Sequence, residues 1–172
     1  DLVLNDFVAC AISSGDITVL SDGTPWRPLI DVKDMSRAID WAIDRTSENG
    51  GSFLPINTGS KEWNYQVKDL ANAVADIIPG TKVSTNVDAQ SDKRSYRVDF
   101  TLFEKLAPNN QPIVSLDQSI REIKEGMESM NFIDSNFRAS DYMRLRVLEG
   151  HIESMRLDDN LRWNNIKETI FE

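Results

Sequence analysis

The stretch Asp-Gly-Thr-Pro-Trp-Arg-Pro-Leu-Ile-Asp-Val-Lys-Asp, residues 22–34, decides how the rest of the sequence is interpreted. Its first four residues predict a turn, because glycine readily adopts positive φ and proline fixes φ near the value that a turn needs. The apolar run 29–32 predicts a short buried strand, and Asp34 is predicted to cap the following helix. Arg27 lies between turn and strand, flanked by a tryptophan and a proline. A guanidinium held between such stiff neighbours suits bidentate binding of a phosphate.

Size and composition limit the classes of protein to consider. The 172 residues are 40% hydrophobic and 27% charged, which predicts a soluble globular chain with a core of its own. No apolar run approaches a membrane span, and we expect no membrane-spanning segment or signal peptide from the residues at hand. The single cysteine, Cys10, excludes an internal disulfide, is expected to be a small core residue, and favours a cytoplasmic location. The net charge of −9 argues against a nucleic-acid surface.

Hydrophobic periodicity predicts short strands separated by amphipathic helices. The chain opens inside a helix that ends near Gly15, and we expect from this start that a front part is missing. A second helix is predicted to bury an apolar face along residues 35–43. The other predicted elements are strands at 17–20, 53–57 and 82–87, and helices that begin near residues 64, 101, 115 and 140, with a last helix carrying Leu161, Ile166 and Ile170.

The run Gly-Thr-Pro-Trp-Arg-Pro-Leu-Ile-Asp-Val-Lys-Asp-Met, residues 23–35, resembles the G…R…(I/V)(H/D)V-x-D segment of the extended short-chain dehydrogenase/reductases. These are the NAD-dependent nucleotide-sugar epimerases and dehydratases. The resemblance implies an α/β fold: the helix-rich C-terminal lobe of such an enzyme, with few short strands and an incomplete Rossmann sheet. Residues 1–130 would form the nucleotide-sugar-binding lobe, without the NAD-binding half, and residues 131–172 a C-terminal helical extension that packs on it or makes oligomer contacts.

The same resemblance implies three substrate-binding residues in the first part of the chain. Arg27 matches the arginine that contacts the diphosphate of the nucleotide sugar. Asn5 matches an asparagine that helps to hold the phosphate, although an exposed polar residue or helix cap is the alternative. Leu20 matches a residue placed against the nucleotide base, and a buried core leucine is an equal alternative.

A second contact loop is implied between residues 89 and 99. Asp92 matches an acidic residue that binds ribose hydroxyls, and Arg94 is a candidate for a phosphate contact. The alternative is a solvated charge cluster at a loop tip. Arg97 and Asp99 are expected to make structural pairs at the start of the next helix.

The motifs for chemistry in that family are missing from this sequence. It contains no Gly-x-x-Gly-x-x-Gly turn for NAD, and no tyrosine is followed by lysine four residues later. The sequence has one histidine, His151, and no paired cysteines, which are too few ligands for a histidine-based metal site. We interpret His151 as a helix-surface residue. We therefore predict no catalytic, cofactor-binding or metal-binding residue here, and no hydride transfer by this chain alone; NAD would belong to the intact enzyme.

Two classes of function remain from the sequence. The first is the substrate-binding portion of a nucleoside-diphosphate-sugar epimerase or dehydratase, and the second is a non-enzymatic module that binds nucleotides or self-associates. An unpaired strand edge near residues 53–57 predicts association with a second copy or with the missing N-terminal half. A hydrolase is a weak third possibility, since no pair of carboxylates at a suitable separation is evident.

Overall fold

The computed structural model describes residues 2–89 and 94–164, and these residues form an α/β structure with few short strands. This confirms the predicted fold class, with helices dominant and a small, incomplete sheet. The helices are α1 (Val3–Ser13), α2 (Val32–Asp44), α3 (Val67–Ile77), α4 (Thr101–Leu106), α5 (Leu116–Ser129) and α6 (Arg144–Glu153). The strands are β1 (Asp16–Val19), β2 (Trp26–Pro28), β3 (Asn64–Gln66) and β4 (Lys82–Thr85). Residues Leu2–Ile133 form one compact unit, and residues 134–164 belong to a second.

The main core of the first unit lies where α1 packs against α3 and α5. Its side chains come from the apolar faces that the 3.6-residue period predicts for these helices. They include Leu4, Phe7, Val8, Leu70, Ala71, Val74 and Ile120. Cys10 is buried on α1, as predicted. Beside these helices β1 and β4 pair in parallel, with Asp16 opposite Lys82 and Val19 opposite Thr85.

The start of α2 differs from the prediction. Residues 29–32 do not form a strand, because β2 ends at Pro28 and Asp31 already caps α2 by accepting a hydrogen bond from the Lys33 amide at 2.9 Å. An aspartate before a helical run satisfies amides that have no partner within the helix, so the helix begins one turn earlier than expected. Asp34, the predicted cap, is instead a buried carboxylate inside the first turn.

The predicted buried face of α2 is also wrong. Ala38 and Trp41 are buried and pack with Phe103 and Ala107 of the α4 region, and the Trp41 and Phe103 rings meet edge to face at 5.6 Å. The side chains predicted to be buried beside Ala38 are largely exposed: Met35, Ile39, Ala42 and Ile43. The helix carries apolar side chains on two sides, and only one of them is covered within the described residues.

Residues 53–57 do not form the predicted strand. Their side chains still alternate as in an extended segment, with Leu54 and Ile56 against the Trp41 cluster and Phe53 exposed. A strand requires a hydrogen-bonded neighbour, and no described strand pairs with this segment. The sequence pattern predicted the alternation of the side chains correctly and the strand pairing incorrectly.

The second unit contains α6 and a short 3₁₀ turn, Phe137–Ala139. Phe137 and Leu157 are its buried apolar side chains among the described residues, and Leu157 forms an isolated bridge with Trp163. His151, predicted on the helix surface, is partly covered by the Trp163 ring, with the ring centroids 5.3 Å apart. Most of the predicted last helix, including Ile166 and Ile170, lies outside the described residues.

Candidate functional site

A tight turn that begins at Asp22 leads into β2, the strand that carries Arg27. The Asp22 carboxylate accepts hydrogen bonds from the amide and hydroxyl of Thr24 at 3.1 and 2.9 Å, which closes the turn that the sequence predicted here. Gly23 has φ of 77°, and a Cβ built there would lie 2.8 Å from the Cβ of Lys68. Glycine is therefore required at this position by both the backbone and the close approach of α3.

The strand that carries Arg27 is held by an antiparallel partner. Arg27 of β2 lies opposite Tyr65 of β3, and Pro28 lies opposite Asn64. Past the ladder, the Val67 amide donates to the Pro25 carbonyl at 3.0 Å. Burial is the main cause that raises the pKa of Tyr65 above its ordinary value.

The Arg27 guanidinium is oriented by backbone carbonyls. Its Nη1 donates to the Trp26 carbonyl at 2.8 Å and to the carbonyl of Arg94. Arg94 is 67 residues away in sequence, so this contact brings the two predicted phosphate-binding arginines together. Arg27 is half-buried and Arg94 exposed. A guanidinium with a fixed orientation loses less conformational entropy when it binds a phosphate.

Two further contacts fasten the segment 94–97 to β2. The Trp26 amide donates to Ser95 Oγ at 3.0 Å, and the Arg97 guanidinium carbon lies 4.7 Å from the centroid of the Trp26 ring. Arg97 was expected to pair at the start of α4, and the structure places it on the indole instead. Arg27, the backbone of Arg94 and the Arg97 guanidinium thus lie around Trp26, in a chain whose net charge is −9.

Asn64 fixes the end of the same segment. Its Oδ1 accepts from the Val98 amide at 2.8 Å, and its Nδ2 donates to the Val98 carbonyl at 3.1 Å. Asn64 is buried, so this amide pair is shielded from competing water. No motif in the sequence indicates this role, because Asn64 and Val98 are 34 residues apart along the chain.

Asp99 lies at the start of α4, where the sequence predicted it, but it does not pair there with Arg97. Its carboxylate accepts from the Thr101 amide and hydroxyl at 2.9 and 2.6 Å. These two hydrogen bonds lower the pKa of Asp99, and the bond from the hydroxyl has the larger effect. The helix begins at residue 101, as predicted, and Thr101 inside α4 donates its hydroxyl to Asp99.

Two of the other predicted site residues, Asn5 and Leu20, lie in the described part of the chain. Asn5 is exposed in the first turn of α1. Leu20 follows β1 and is 81% exposed, which overturns the alternative of a buried core leucine. No hydrogen bond links Asn5 to Arg27, Arg94 or Arg97 within the described part of the chain. Asp92 lies outside the described residues. The ligand-binding roles of all five residues stay predictions.

A polar pocket that Val98 helps to line does not suit the same ligand. Three carboxylates line it, those of Glu62, Asp99 and Glu104, with Lys61 as the one cation in its lining. Such a surface repels a diphosphate. Over residues 2–89 and 94–164, no group of three or more His, Cys, Asp or Glu side chains is arranged to hold a metal ion. No helix in that part of the chain is long and apolar enough to cross a membrane.

Comparisons with known proteins agree with the resemblance. Residues 2–57 match the model of the NAD dependent epimerase/dehydratase family. No curated protein matches the sequence significantly. A solved structure described as "a novel NAD dependent-NDP-hexosamine 5,6-dehydratase, TunA, involved in tunicamycin biosynthesis" matches 79% of this chain and 42% of its own at 18% identity, with a TM-score of 0.61.

Two further solved structures have the same fold. RMD from Pseudomonas aeruginosa, solved with NADPH, matches 75% of this chain and 43% of its own at 15% identity and a TM-score of 0.57. The PbgP3 protein from Burkholderia pseudomallei matches 74% of this chain and 38% of its own at 20% identity and a TM-score of 0.51. This chain therefore spans about two fifths of the length of the structures that it matches. The resemblance to the epimerase/dehydratase family is confirmed.

Proposed function

We propose that this chain, a relative of the NAD-dependent epimerases and dehydratases, is the substrate-binding portion of an enzyme that acts on a nucleoside-diphosphate sugar. The observation that supports this most directly is the contact between Arg27 and the backbone of Arg94. It joins two segments that the resemblance assigns to phosphate binding. Arg27 would hold the diphosphate, with Arg94 beside it, and Asp92, Leu20 and Asn5 would contact ribose, base and phosphate.

Binding of this kind contributes to catalysis at a distance. Charge-assisted hydrogen bonds to a diphosphate fix the substrate far from the reacting carbon, and that binding energy orients the sugar for the chemical step. The donors here are the planar guanidinium groups of arginine, which match the oxygens of a phosphate in pairs. Whether the reaction is epimerisation or dehydration depends on residues around the sugar, and these two arginines serve both.

The described residues do not fit NAD. A dinucleotide site needs a glycine-rich turn that leads from a strand into a helix N-terminus, where amides meet the pyrophosphate. The glycines with positive φ are Gly15, Gly23, Gly50, Gly51, Gly59 and Gly80. None of them stands between a strand and the helix directly after it. We derive no hydride-transfer step for this chain, and the proposal places NAD and the catalytic residues in another part of the enzyme.

Titration calorimetry with UDP-, GDP-, CDP- and dTDP-sugars tests the proposal. We expect at least one of them to bind, and Arg27→Ala to weaken that binding about 10- to 100-fold, the value of one or two charge-assisted hydrogen bonds. Arg27→Lys should recover only part of the loss, because an ammonium cannot make the paired contact.

The matched control is Arg121→Ala, which removes an exposed cation from α5 and should leave affinity within about twofold. Circular dichroism of each variant checks the fold. Absence of heat with all four sugar nucleotides, or equal affinity of Arg27→Ala and the wild type, contradicts the proposal.

A self-associating module is the second candidate, and the exposed side of α2 favours it. Val32, Ile39 and Ile43 lie on that side with Met35, and Ile43 is 75% exposed. Apolar side chains grouped in this way mark surfaces that another polypeptide covers, either a second copy or the remaining part of the enzyme. Sedimentation velocity should show association that grows with concentration and is lost in Ile39→Glu. A monomer at every concentration, with no nucleotide binding, would contradict both candidates.

A cytoplasmic location goes with the first candidate as an expectation. The buried free thiol of Cys10 is compatible with a reducing compartment.

A further inference from the structure

Segment 94–97 contacts β2 at three points, and each contact uses a different kind of interaction. The Arg94 carbonyl accepts from Arg27, Ser95 Oγ accepts from the Trp26 amide at 3.0 Å, and Arg97 lies over the Trp26 ring at 4.7 Å. Trp26 receives two of the three contacts. Its backbone holds Ser95 and its side chain holds Arg97, so this residue fixes where the whole segment lies.

The Arg97 contact differs from the other two because it involves no hydrogen bond to β2. A planar guanidinium over an indole is attracted by the negative face of the ring and stacks on it. The contact therefore depends on the aromatic ring of Trp26 and on the shape of the Arg97 side chain, and both can be changed while the backbone of β2 stays the same.

We propose that Arg97 is a positioning residue. By stacking on Trp26 it holds segment 94–97 against β2, and through that segment it keeps the backbone of Arg94 in contact with the Arg27 guanidinium. Trp26, Ser95 and Arg97 together hold segment 94–97 beside Arg27, and we call these three residues the clasp. The proposal deepens the proposed function and rests on it, because the consequence for the ligand requires that Arg27 and Arg94 bind a diphosphate.

A direct role for Arg97 as a third phosphate ligand makes a different prediction. A direct ligand loses its contribution when it is truncated, whatever lies beneath it. A positioning residue that works through the Trp26 ring contributes nothing once the ring has been removed. A double-mutant cycle separates the two roles, since it measures the dependence of one side chain on the other.

The experiment measures binding of UDP and of inorganic pyrophosphate to the wild type, Arg97→Ala, Trp26→Leu and the double variant. We expect Arg97→Ala to weaken binding about 3- to 10-fold, the range of a cation–π contact at a partly exposed site. In the Trp26→Leu background the same change should have no further effect. An equal loss in both backgrounds would show that Arg97 binds the ligand directly and would overturn the proposal.

A conservative variant and a control complete the test. Arg97→Lys keeps a cation over the ring but loses the planar stack, so it should recover part of the affinity lost in Arg97→Ala, whereas Arg121→Ala should bind within about twofold of the wild type. A loss in Arg97→Lys as large as in Arg97→Ala would contradict a role through the cation–π contact.

Hydrogen exchange of the Trp26 amide tests the clasp without any ligand. This amide donates to Ser95 Oγ, so release of segment 94–97 should expose it. We expect exchange at least about fivefold faster in Arg97→Ala than in Arg121→Ala. Equal exchange in the two variants overturns the clasp. If the clasp opens in this way while the wild type binds neither UDP nor pyrophosphate, the positioning role stands and the proposed function fails.

Discussion

Helices α2 and α3 have similar amphipathic sequences, but their apolar side chains end up in different surroundings. In α3 the predicted face is the buried one, with Val67, Leu70 and Val74 in the core. In α2 the predicted face is exposed along Ile39 and Ile43, and the carboxylate of Asp34 is buried instead. Hydrophobic periodicity identifies a helix, but burial depends on which elements the rest of the chain places against it.

The two apolar sides of α2 explain why the pattern misleads there. At 3.6 residues per turn, Ala38 and Trp41 lie on one side of the helix and Ile39 and Ile43 on roughly the opposite side. The described chain provides Phe103 and Ala107 for the first side. The second side is exposed within the described residues.

Truncation of matched apolar side chains gives the largest expected difference between the helices. Leu70 is 0% exposed, so Leu70→Ala should lower the free energy of unfolding by about 3 kcal/mol, through lost burial and the cavity it leaves. Ile39→Ala should change it by less than about 0.5 kcal/mol. Urea denaturation followed by circular dichroism measures both. A similar loss in the two variants would mean that the exposed side of α2 is covered in solution.

The buried carboxylate of α2 gives the next largest effect. Asp34 accepts hydrogen bonds from the amides of Ile113 and Val114 at 3.1 and 3.0 Å, and thereby ties the segment before α5 to the helix. Asp34→Ala leaves both amides without this acceptor, so we expect a loss of about 2 kcal/mol in unfolding free energy. Asp40→Ala removes an exposed carboxylate from the same helix and should cost less than about 0.5 kcal/mol. Equal effects would contradict a specific role for Asp34.

The smallest expected effect concerns the ion pair between α2 and α5. Lys33 Nζ lies 2.7 Å from Glu122 Oε1, and this hydrogen bond is the main cause that lowers the pKa of Glu122 below its ordinary value of 4.5. A carboxyl whose pKa is lower in the folded state stabilises the fold above its ordinary pKa, and this contribution is lost as the pH falls through the folded value.

The melting temperature of the wild type should fall as the pH is lowered from about 5 to below the ordinary carboxyl pKa of about 4.5. In Glu122→Gln this fall should be slightly smaller, because the variant has no carboxyl at this position to protonate. Both groups are exposed, so the change should be small. Glu125→Gln on the same helix is the control. An identical pH dependence of Glu122→Gln and the wild type would show that the pair does not contribute in solution.

Much of the fold could be predicted because local signals decide it. The Asp22–Gly23 turn, the Ser115 cap of α5 and the apolar faces of α1 and α3 all follow from neighbours in sequence. Strand pairing could not be predicted in the same way, since residues 53–57 have the alternation of a strand and lack a partner strand.

For the candidate site, the sequence by itself singled out Arg27 and Arg94, because their residue types and motifs match a family of nucleotide-sugar enzymes. Only the tertiary structure decided that Arg27 meets the backbone of Arg94, that Ser95 and Arg97 lie on Trp26, and that Asn64 holds Val98. These contacts join residues 34 to 71 positions apart in sequence. Local propensity acts over a few residues, whereas contacts at such separations exist only after β2 and β3 have paired and brought distant segments together.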